Sequence, residues 1–238
     1  MPELVPDGPI VPVHLLNELD SGRVLLFCGA GISAGTGSCL PSFGDLVRYV
    51  YAANQMEPDA VEREALDCDE PDPDRRRPRF DKALSLLERE SRLGPQALRG
   101  TVIERLSQKP TGPLHVHEAL IDLSRHQQGV RLITTNFDER FVEAGLDEQL
   151  VDAAPKLPIP KRHNWSTLVH LHGRIVPDDD GSNLVLTAAD FGRAYLTEQW
   201  AARFVTETLP RIHRSLRGIQ HRRSGNELHG RRPCRGDW

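Results

Sequence analysis

An apolar segment that runs directly into a glycine-rich turn constrains the fold of this chain more than any other feature. Residues 23–28 read Arg-Val-Leu-Leu-Phe-Cys, and the turn reads Gly29-Ala30-Gly31-Ile32-Ser33-Ala34. A short apolar run of this kind predicts a strand buried in a parallel sheet. The turn fits the G-x-G-x-x-G/A pattern, in which missing side chains let the backbone approach a pyrophosphate. The two together predict the start of a nucleotide-binding unit, and a glycine turn that serves only packing is the alternative.

Hydrophobic periodicity along the rest of the chain predicts an α/β fold. Helical and strand-like patterns alternate, which is typical of a Rossmann-like parallel sheet, here with a helical insertion after the first unit. The patterns predict a first helix at 13–19, helices at 43–53, 80–90, 95–106, 114–126 and 139–144, and strands at 23–28, 130–134, 167–171 and 183–186.

Two further motifs follow predicted strands. Thr134-Thr135-Asn136-Phe137-Asp138 comes at the carboxyl end of one strand, where α/β proteins place residues that contact ligands. Asn and Asp at such a junction can equally well cap a helix. Leu171-His172-Gly173 ends the next strand, where a histidine is well placed to act as a base, although a structural histidine is the alternative.

The histidines and cysteines of the chain do not predict a metal site. No carboxylate or thiolate stands at ligand spacing from the histidines, and no Cys-x-x-Cys pair occurs, so we expect neither zinc nor another metal. The residues considered are His115, His117, His170 and His172, and Cys28, Cys39, Cys68 and Cys234.

Taken in order, the segments GAGIS, CLPSF, TTNFD and LHG resemble the sirtuin-like superfamily, specifically its zinc-free bacterial branch of NAD-consuming antiphage defence effectors. The resemblance covers roughly residues 10–208 and implies a Rossmann-like NAD-binding domain over that range. The deacylase sirtuins carry Gln where this chain has Thr135, and they carry a four-cysteine zinc module that this chain lacks. The resemblance therefore favours a different NAD-consuming reaction over deacylation.

The resemblance also implies roles for individual residues. His172 matches the catalytic histidine, and Asn136 and Asp138 match residues around the nicotinamide ribose and carboxamide. The other implied cofactor-binding residues are Gly29, Ala30, Gly31 and Ser33 in the pyrophosphate loop, Pro41, Ser42 and Phe43 in the loop after it, and Thr135.

The implied reaction is hydrolysis of NAD to nicotinamide and ADP-ribose, through an oxocarbenium-like transition state as in glycoside hydrolysis. His172 would take a proton from a ribose hydroxyl or from water, and Asn136 would orient that water. An NAD-dependent protein deacylase and a non-catalytic module that binds NAD or ADP-ribose are the alternatives. We expect a cytoplasmic protein without a membrane or nucleic-acid partner, which forms a homo-oligomer or is joined to a C-terminal sensor region.

The C-terminal residues differ in composition from the rest. Residues 211–238 hold eight arginines against two acidic residues, whereas the chain as a whole has a net charge of -4. Read one base downstream, the codons of residues 218–229 permit Gly-Tyr-Ser-Ile-Asp-Asp-Pro-Val-Met-Asn-Tyr-Met, which resembles the family segment expected there. We therefore expect residues 209–238 to be an out-of-frame, disordered tail that replaces the last strands of the domain. The chain itself is then either an active enzyme or a truncated remnant.

Overall fold

The computed structural model describes residues 11–34, 37–66, 78–126, 128–160, 165–176 and 180–208. The expected out-of-frame tail at 209–238 lies outside the described residues, as does residue 10 of the expected domain. No helix in the described ranges combines the length and the apolar character that crossing a bilayer requires.

The described chain alternates helices with short strands. The helices are α1 Val13–Asp20, α2 Phe43–Ala53, α3 Ala60–Leu66, α4 Phe80–Leu87, α5 Pro95–Leu106, α6 His115–Leu123, α7 Arg140–Glu143, α8 Ala188–Gly192 and α9 Trp200–Thr208. Single 3-10 turns cover Ala30–Ile32 and Glu148–Leu150, and a π-helical turn covers Arg193–Thr197. The strands are β1 Leu26–Cys28, β2 Arg125–His126, β3 Gly129–Val130, β4 Leu132–Thr134, β5 Val151–Ala153 and β6 Leu168–His170.

Four of these strands form a parallel sheet in the order β1-β4-β6-β5. Successive residues of a strand point to opposite faces, so Leu132 and Leu168 face one side and Ile133 and Val169 the other. Both sides are covered, the first by a cluster that includes Phe141 of α7 and the second by one that includes residues of α9. The predicted α/β class with a Rossmann-like parallel sheet is confirmed.

The predicted helical insertion is also present. Helices α2, α4 and α5 pack around Val47, Leu84 and Val102, which are fully buried. The same cluster includes Phe137, which follows β4, and Leu186, which lies beyond β6. The insertion therefore packs against the carboxyl ends of the strands, and this packing forms one wall of the site.

The strands of the structure differ from the predictions at three places. Strand β2 lies at the end of the predicted helix 114–126, because α6 ends at Leu123 and residues 125–126 pair with β3 instead. The predicted strand at 183–186 is wrong, because these residues enter no ladder. Asn183 is exposed, whereas residues 184–186 are buried: Leu184 and Leu186 pack against the helices of the insertion, and Val185 packs into the cluster on the α9 side of the sheet. Its alternation reflects burial between two clusters, which a sequence pattern does not distinguish from strand pairing. Strand β5 was not predicted, because all three residues of Val151–Ala153 are only half-buried and so form neither an apolar run nor an alternating pattern.

Candidate functional site

A cavity of about 270 Å³ lies where the chain leaves the neighbouring strands β1, β4 and β6. Because parallel strands end at one edge of a sheet, the segments that follow them meet there. The cavity is lined by Ala30, Ser33, Leu40, Pro41, Phe43, Leu46, Leu106, Thr135, Asn136, Phe137, Asp138, His172, Val185 and Phe191. Eight residues singled out from the sequence are among them, whereas Gly29, Gly31 and Ser42 are not.

The glycine-rich turn forms a single 3-10 turn directly after β1. The amides of Ile32 and Ser33 donate to the carbonyls of Gly29 and Ala30, which closes the turn. Among the described residues other than its chain neighbours, no atom lies within 4 Å of a Cβ built at Gly31, and one at Gly29 would approach the Thr135 hydroxyl at an ordinary 3.6 Å. Protein packing therefore does not require glycine at Gly31, and the space beside its Cα is open to a ligand.

Ser33 is the centre of a buried polar network. Asn136 Nδ2 donates to Ser33 Oγ over 3.1 Å, and Nε2 of His117 lies 3.2 Å from the same oxygen. Ser33 also hydrogen-bonds the Asp138 side chain. With Asn136 donating to the hydroxyl, Ser33 has one proton to give, and its two remaining neighbours are the imidazole of His117 and the carboxyl group of Asp138. Because Nδ2 of Asn136 is held by Ser33, Oδ1 of the same amide is the atom that can accept a hydrogen bond from a ligand.

The backbone of Asn136 is held from both sides. Its amide donates to Thr134 Oγ1 over 3.1 Å, and its carbonyl accepts from Nδ1 of His170 over 2.8 Å. Burial lowers the pKa of His170 to about 4, so the ring is neutral near pH 7. His170 is therefore a structural partner of the Asn136 segment and does not line the cavity.

Asp138 is a buried carboxyl group whose pKa is raised by burial. The backbone amide of Arg140 donates to its Oδ1 over 3.2 Å. This hydrogen bond and the one with Ser33 favour the charged carboxylate, so they offset part of the rise in pKa that burial causes. Asp138 is not the cap of helix α7, because the N-cap position is Glu139, which makes no side-chain cap bond, but its bond to the Arg140 amide does hold the first residue of that helix.

His172 faces the cavity from the end of β6. Its Nε2 lies 2.8 Å from the hydroxyl of Tyr195, and burial lowers its pKa to about 4. The next residue, Gly173, has φ +93, and a Cβ there would lie 2.4 Å from the carbonyl oxygen of Asn183. Glycine at this position is thus required both by the backbone conformation and by the close approach of a second segment.

The loop before α2 contributes Pro41 and Phe43 to the cavity, but Ser42 has a different role. Its hydroxyl accepts from the Asp45 amide over 3.2 Å and donates to the Asp45 carboxylate over 2.6 Å, so it caps α2. Buried Arg140 holds the start of the same loop by donating to Ser38 Oγ over 3.0 Å. Thr135 directs its hydroxyl to the Cys28 carbonyl over 3.4 Å, next to β1.

Sequence reasoning did not identify His117, Tyr195, Arg140 and Phe191 as site residues. His117 does stand four residues before Ile121 on the buried face of α6, a spacing that indicates burial but not its partner. In the described ranges, no group of three or more His, Cys, Asp or Glu side chains is arranged to hold a metal ion.

Comparison with known proteins gives two matches. A family model described as "SIR2-like domain" matches residues 130–216, a range that includes the Asn136 and His172 segments but not the glycine-rich turn. The chain is also 33% identical over 214 residues to the uncharacterized protein y4cA of Sinorhizobium fredii. That alignment covers 85% of this chain and 17% of y4cA, so the chain spans about a sixth of the length of this relative.

Proposed function

Because the chain belongs to the sirtuin-like superfamily, whose domain implies a role for NAD, we propose that it hydrolyses NAD to nicotinamide and ADP-ribose. The observation that carries the proposal is that His172, Asn136 and Asp138 line one cavity although they follow two different strands. These three groups suit hydrolysis of the bond between nicotinamide and ribose. A base can take the proton of the attacking water, an amide can orient that water, and a carboxyl group can pair with the carboxamide of nicotinamide.

The size and lining of the cavity suit the nicotinamide end of the substrate. A volume of about 270 Å³ lies just below the usual range for small-molecule pockets, which begins near about 300 Å³. Aromatic walls from Phe43 and Phe191 fit a flat ring, and Asp138 can pair with the carboxamide. The remainder of the dinucleotide extends past the open space beside Gly31.

In the proposed reaction, the bond between the nicotinamide nitrogen and the ribose C1′ breaks, and its electron pair leaves with neutral nicotinamide. Water attacks the resulting oxocarbenium-like centre and loses a proton to His172. The neutral imidazole has a lone pair available at pH 7, because burial disfavours its charged form. Oδ1 of Asn136 accepts a hydrogen bond from that water, while Nδ2 is held by Ser33.

Nicotinamide release by the purified full chain tests the proposal. We expect His172→Ala and Asn136→Ala each to lower the rate by about 100-fold or more, as loss of a proton acceptor or of an orienting group does. His115→Ala is the matched control, because His115 is exposed on α6. Wild-type rates in both site variants, or an inactive wild-type chain, would contradict the proposal.

Two other measurements distinguish the alternatives. Loss of the acetyl group from an acetyl-lysine peptide, dependent on NAD and on His172 and with the acetyl group transferred to ADP-ribose, would indicate a deacylase. Calorimetric binding of NAD without nicotinamide release would indicate a binding module.

We propose further that the activity serves bacterial antiphage defence, as the resemblance implies, because NAD depletion stops the growth of an infected cell. The greater length of y4cA supports a protein in which other regions sense the trigger or assemble oligomers. Phage plating on cells that express the wild-type chain or His172→Ala tests this. Fewer plaques with the wild type alone are expected, and equal plaque numbers would contradict it.

A further inference from the structure

The helix that follows the last site segment changes its geometry at the point where it reaches His172. Helix α8 continues directly into the π-helical turn Arg193–Thr197. Single π-helical turns are rare and often occur at functional sites, because the wider turn redirects one side chain. Here Tyr195 lies within the turn, and its hydroxyl is 2.8 Å from Nε2 of His172.

Three rings form a compact group around this hydrogen bond. Phe191 and Tyr195 stack at 6.1 Å with an interplanar angle of 16°. The imidazole of His172 meets both rings edge-to-face, at 5.2 Å from Phe191 and 5.9 Å from Tyr195. Aromatic pairs in this geometry add to the energy of burial, so the ring plane of His172 is held by contacts as well as by the hydrogen bond.

The partner of His172 is a phenol, whereas catalytic histidines are often oriented by a carboxylate. A carboxylate would raise the pKa of the imidazole, but a neutral hydroxyl orients the ring without supplying charge. Burial also raises the pKa of Tyr195, so its hydroxyl keeps its proton near pH 7. The hydrogen bond therefore joins two neutral groups, and either can be the donor.

We propose that Tyr195 is the positioning residue that holds His172 in the Nε2–H tautomer by accepting its hydrogen bond, so that the lone pair on Nδ1 serves as the base. This inference rests on the proposed function, because the base needs a ring nitrogen whose lone pair is not engaged in a hydrogen bond, and Nε2 is hydrogen-bonded to Tyr195. When Nδ1 takes the proton from water, the imidazolium donates more strongly through Nε2–H to the phenol oxygen. No other proton needs to move in that step.

Imidazole 15N NMR of the full chain tests the tautomer without requiring turnover. With 15N-labelled histidine, and with the His172 signals assigned by their loss in His172→Ala, we expect a protonated Nε2 and an unprotonated Nδ1 at pH 7. Tyr195→Phe keeps the ring but removes the hydroxyl, and it should shift the His172 signals toward a mixture of tautomers. A protonated Nδ1 in the wild-type chain would overturn the proposal, and this result comes from the wild-type chain once a folded His172→Ala variant has assigned the signals.

Kinetics give the second readout. Tyr195→Phe should lower kcat for nicotinamide release about fivefold and leave KM within about twofold, since one neutral hydrogen bond is worth roughly 1 kcal/mol. Tyr49→Phe is the matched control, because it also removes a phenol hydroxyl while the Arg105 guanidinium can still stack on the ring. Unchanged His172 signals in a folded Tyr195→Phe variant would contradict the positioning role. The expected tautomer in a chain that leaves NAD intact would refute the proposed function but not the role of Tyr195.

Discussion

The side-chain amide of Asn136 donates a hydrogen bond of 3.1 Å to the hydroxyl of Ser33, a residue 103 positions earlier in the chain. Through this bond the segment after β4 is tied to the glycine-rich turn after β1. His117 joins α6 to the same hydroxyl. One oxygen atom thus sets the relative positions of three segments around the cavity, and its removal should affect stability and activity together.

We expect Ser33→Ala to lower the free energy of unfolding by about 2 kcal/mol, because it leaves the buried amide of Asn136 and the buried imidazole of His117 without this hydrogen-bond partner. It should also slow nicotinamide release, since the Asn136 side chain loses its orientation. Urea unfolding and the nicotinamide assay measure the two effects. Ser107→Ala, at an exposed position after α5, should change neither by a comparable amount. A Ser33→Ala variant as stable and active as wild type would refute the role of the network.

Gly31→Ala should weaken NAD binding without loss of stability. In the part of the chain that the structure describes, the added methyl has no neighbour within 4 Å beyond the adjacent residues, but it occupies the space that we assign to the dinucleotide. Titration calorimetry with NAD, in a His172→Ala background to prevent turnover, should show at least about a tenfold loss of affinity, or roughly 1.4 kcal/mol. Gly100→Ala in α5 also adds a methyl in open space and should leave affinity unchanged. Unaltered affinity in Gly31→Ala would place the ligand elsewhere.

Alanine variants of Gly145 and Gly173 distinguish the cost of a left-handed backbone from the cost of a steric clash, because the two glycines have similar φ angles. Gly145 has φ +97 and open space beside it, so Gly145→Ala should cost about 1–2 kcal/mol from the left-handed conformation alone. Gly173→Ala adds a contact of 2.4 Å to the backbone of Asn183 and should cost clearly more. Thermal unfolding of both variants measures the difference. Equal losses of stability would contradict the expected steric cost and would mean that the backbone at residues 183–186 can shift away from the added methyl at little cost in free energy.

Stability should fall as the pH is lowered from 7 to 5. Burial holds the pKa values of His117, His170 and His172 at about 4, against about 6.5 in the unfolded chain. Between these values the unfolded state binds more protons, so the stabilisation is complete above pH 6.5 and is lost progressively toward pH 4. From pH 6.5 to 5 each histidine contributes at most about 2 kcal/mol. The raised pKa of Asp138 acts in the opposite direction and reduces the total.

Urea titrations at pH 5, 6 and 7 test this dependence. His117→Gln should flatten the decrease, because it removes one of the three buried imidazoles, while His115→Gln on the exposed face of α6 should not. A wild-type stability that rises toward pH 5 would contradict the assignment of neutral buried histidines.

Arg99 anchors the segment that leads to Tyr195. Its buried guanidinium donates to the carbonyls of Gly181 and Leu184 and to the carboxylate of Asp190. We expect Arg99→Met to cost about 3–5 kcal/mol, since it leaves a buried carboxylate with less compensation. Arg48→Met removes an exposed ion pair and should cost less than about 1 kcal/mol. Chemical denaturation compares the two, and similar small losses would show that the Arg99 contacts are easily replaced.

Much of the fold could be predicted because burial acts on local patterns. The helix at 43–53 and the helix at 95–106 begin and end where the spacing of apolar residues predicts. The pattern at 183–186 failed for a physical reason, since alternation reports which residues are buried and not whether the backbone is paired. The same limit explains why β5, with three half-buried residues, was not recognised.

The sequence by itself determined that the residues after β1, β4 and β6 meet, because apolar runs must be buried and the carboxyl ends of parallel strands share one edge. These two constraints predict that Ser33, Asn136 and His172 lie near one another. Only the tertiary structure decided which side chains hold them. His117 and Tyr195 reach the site through the way α6 packs and through one π-helical turn, and such non-local contacts leave no periodic trace in the chain.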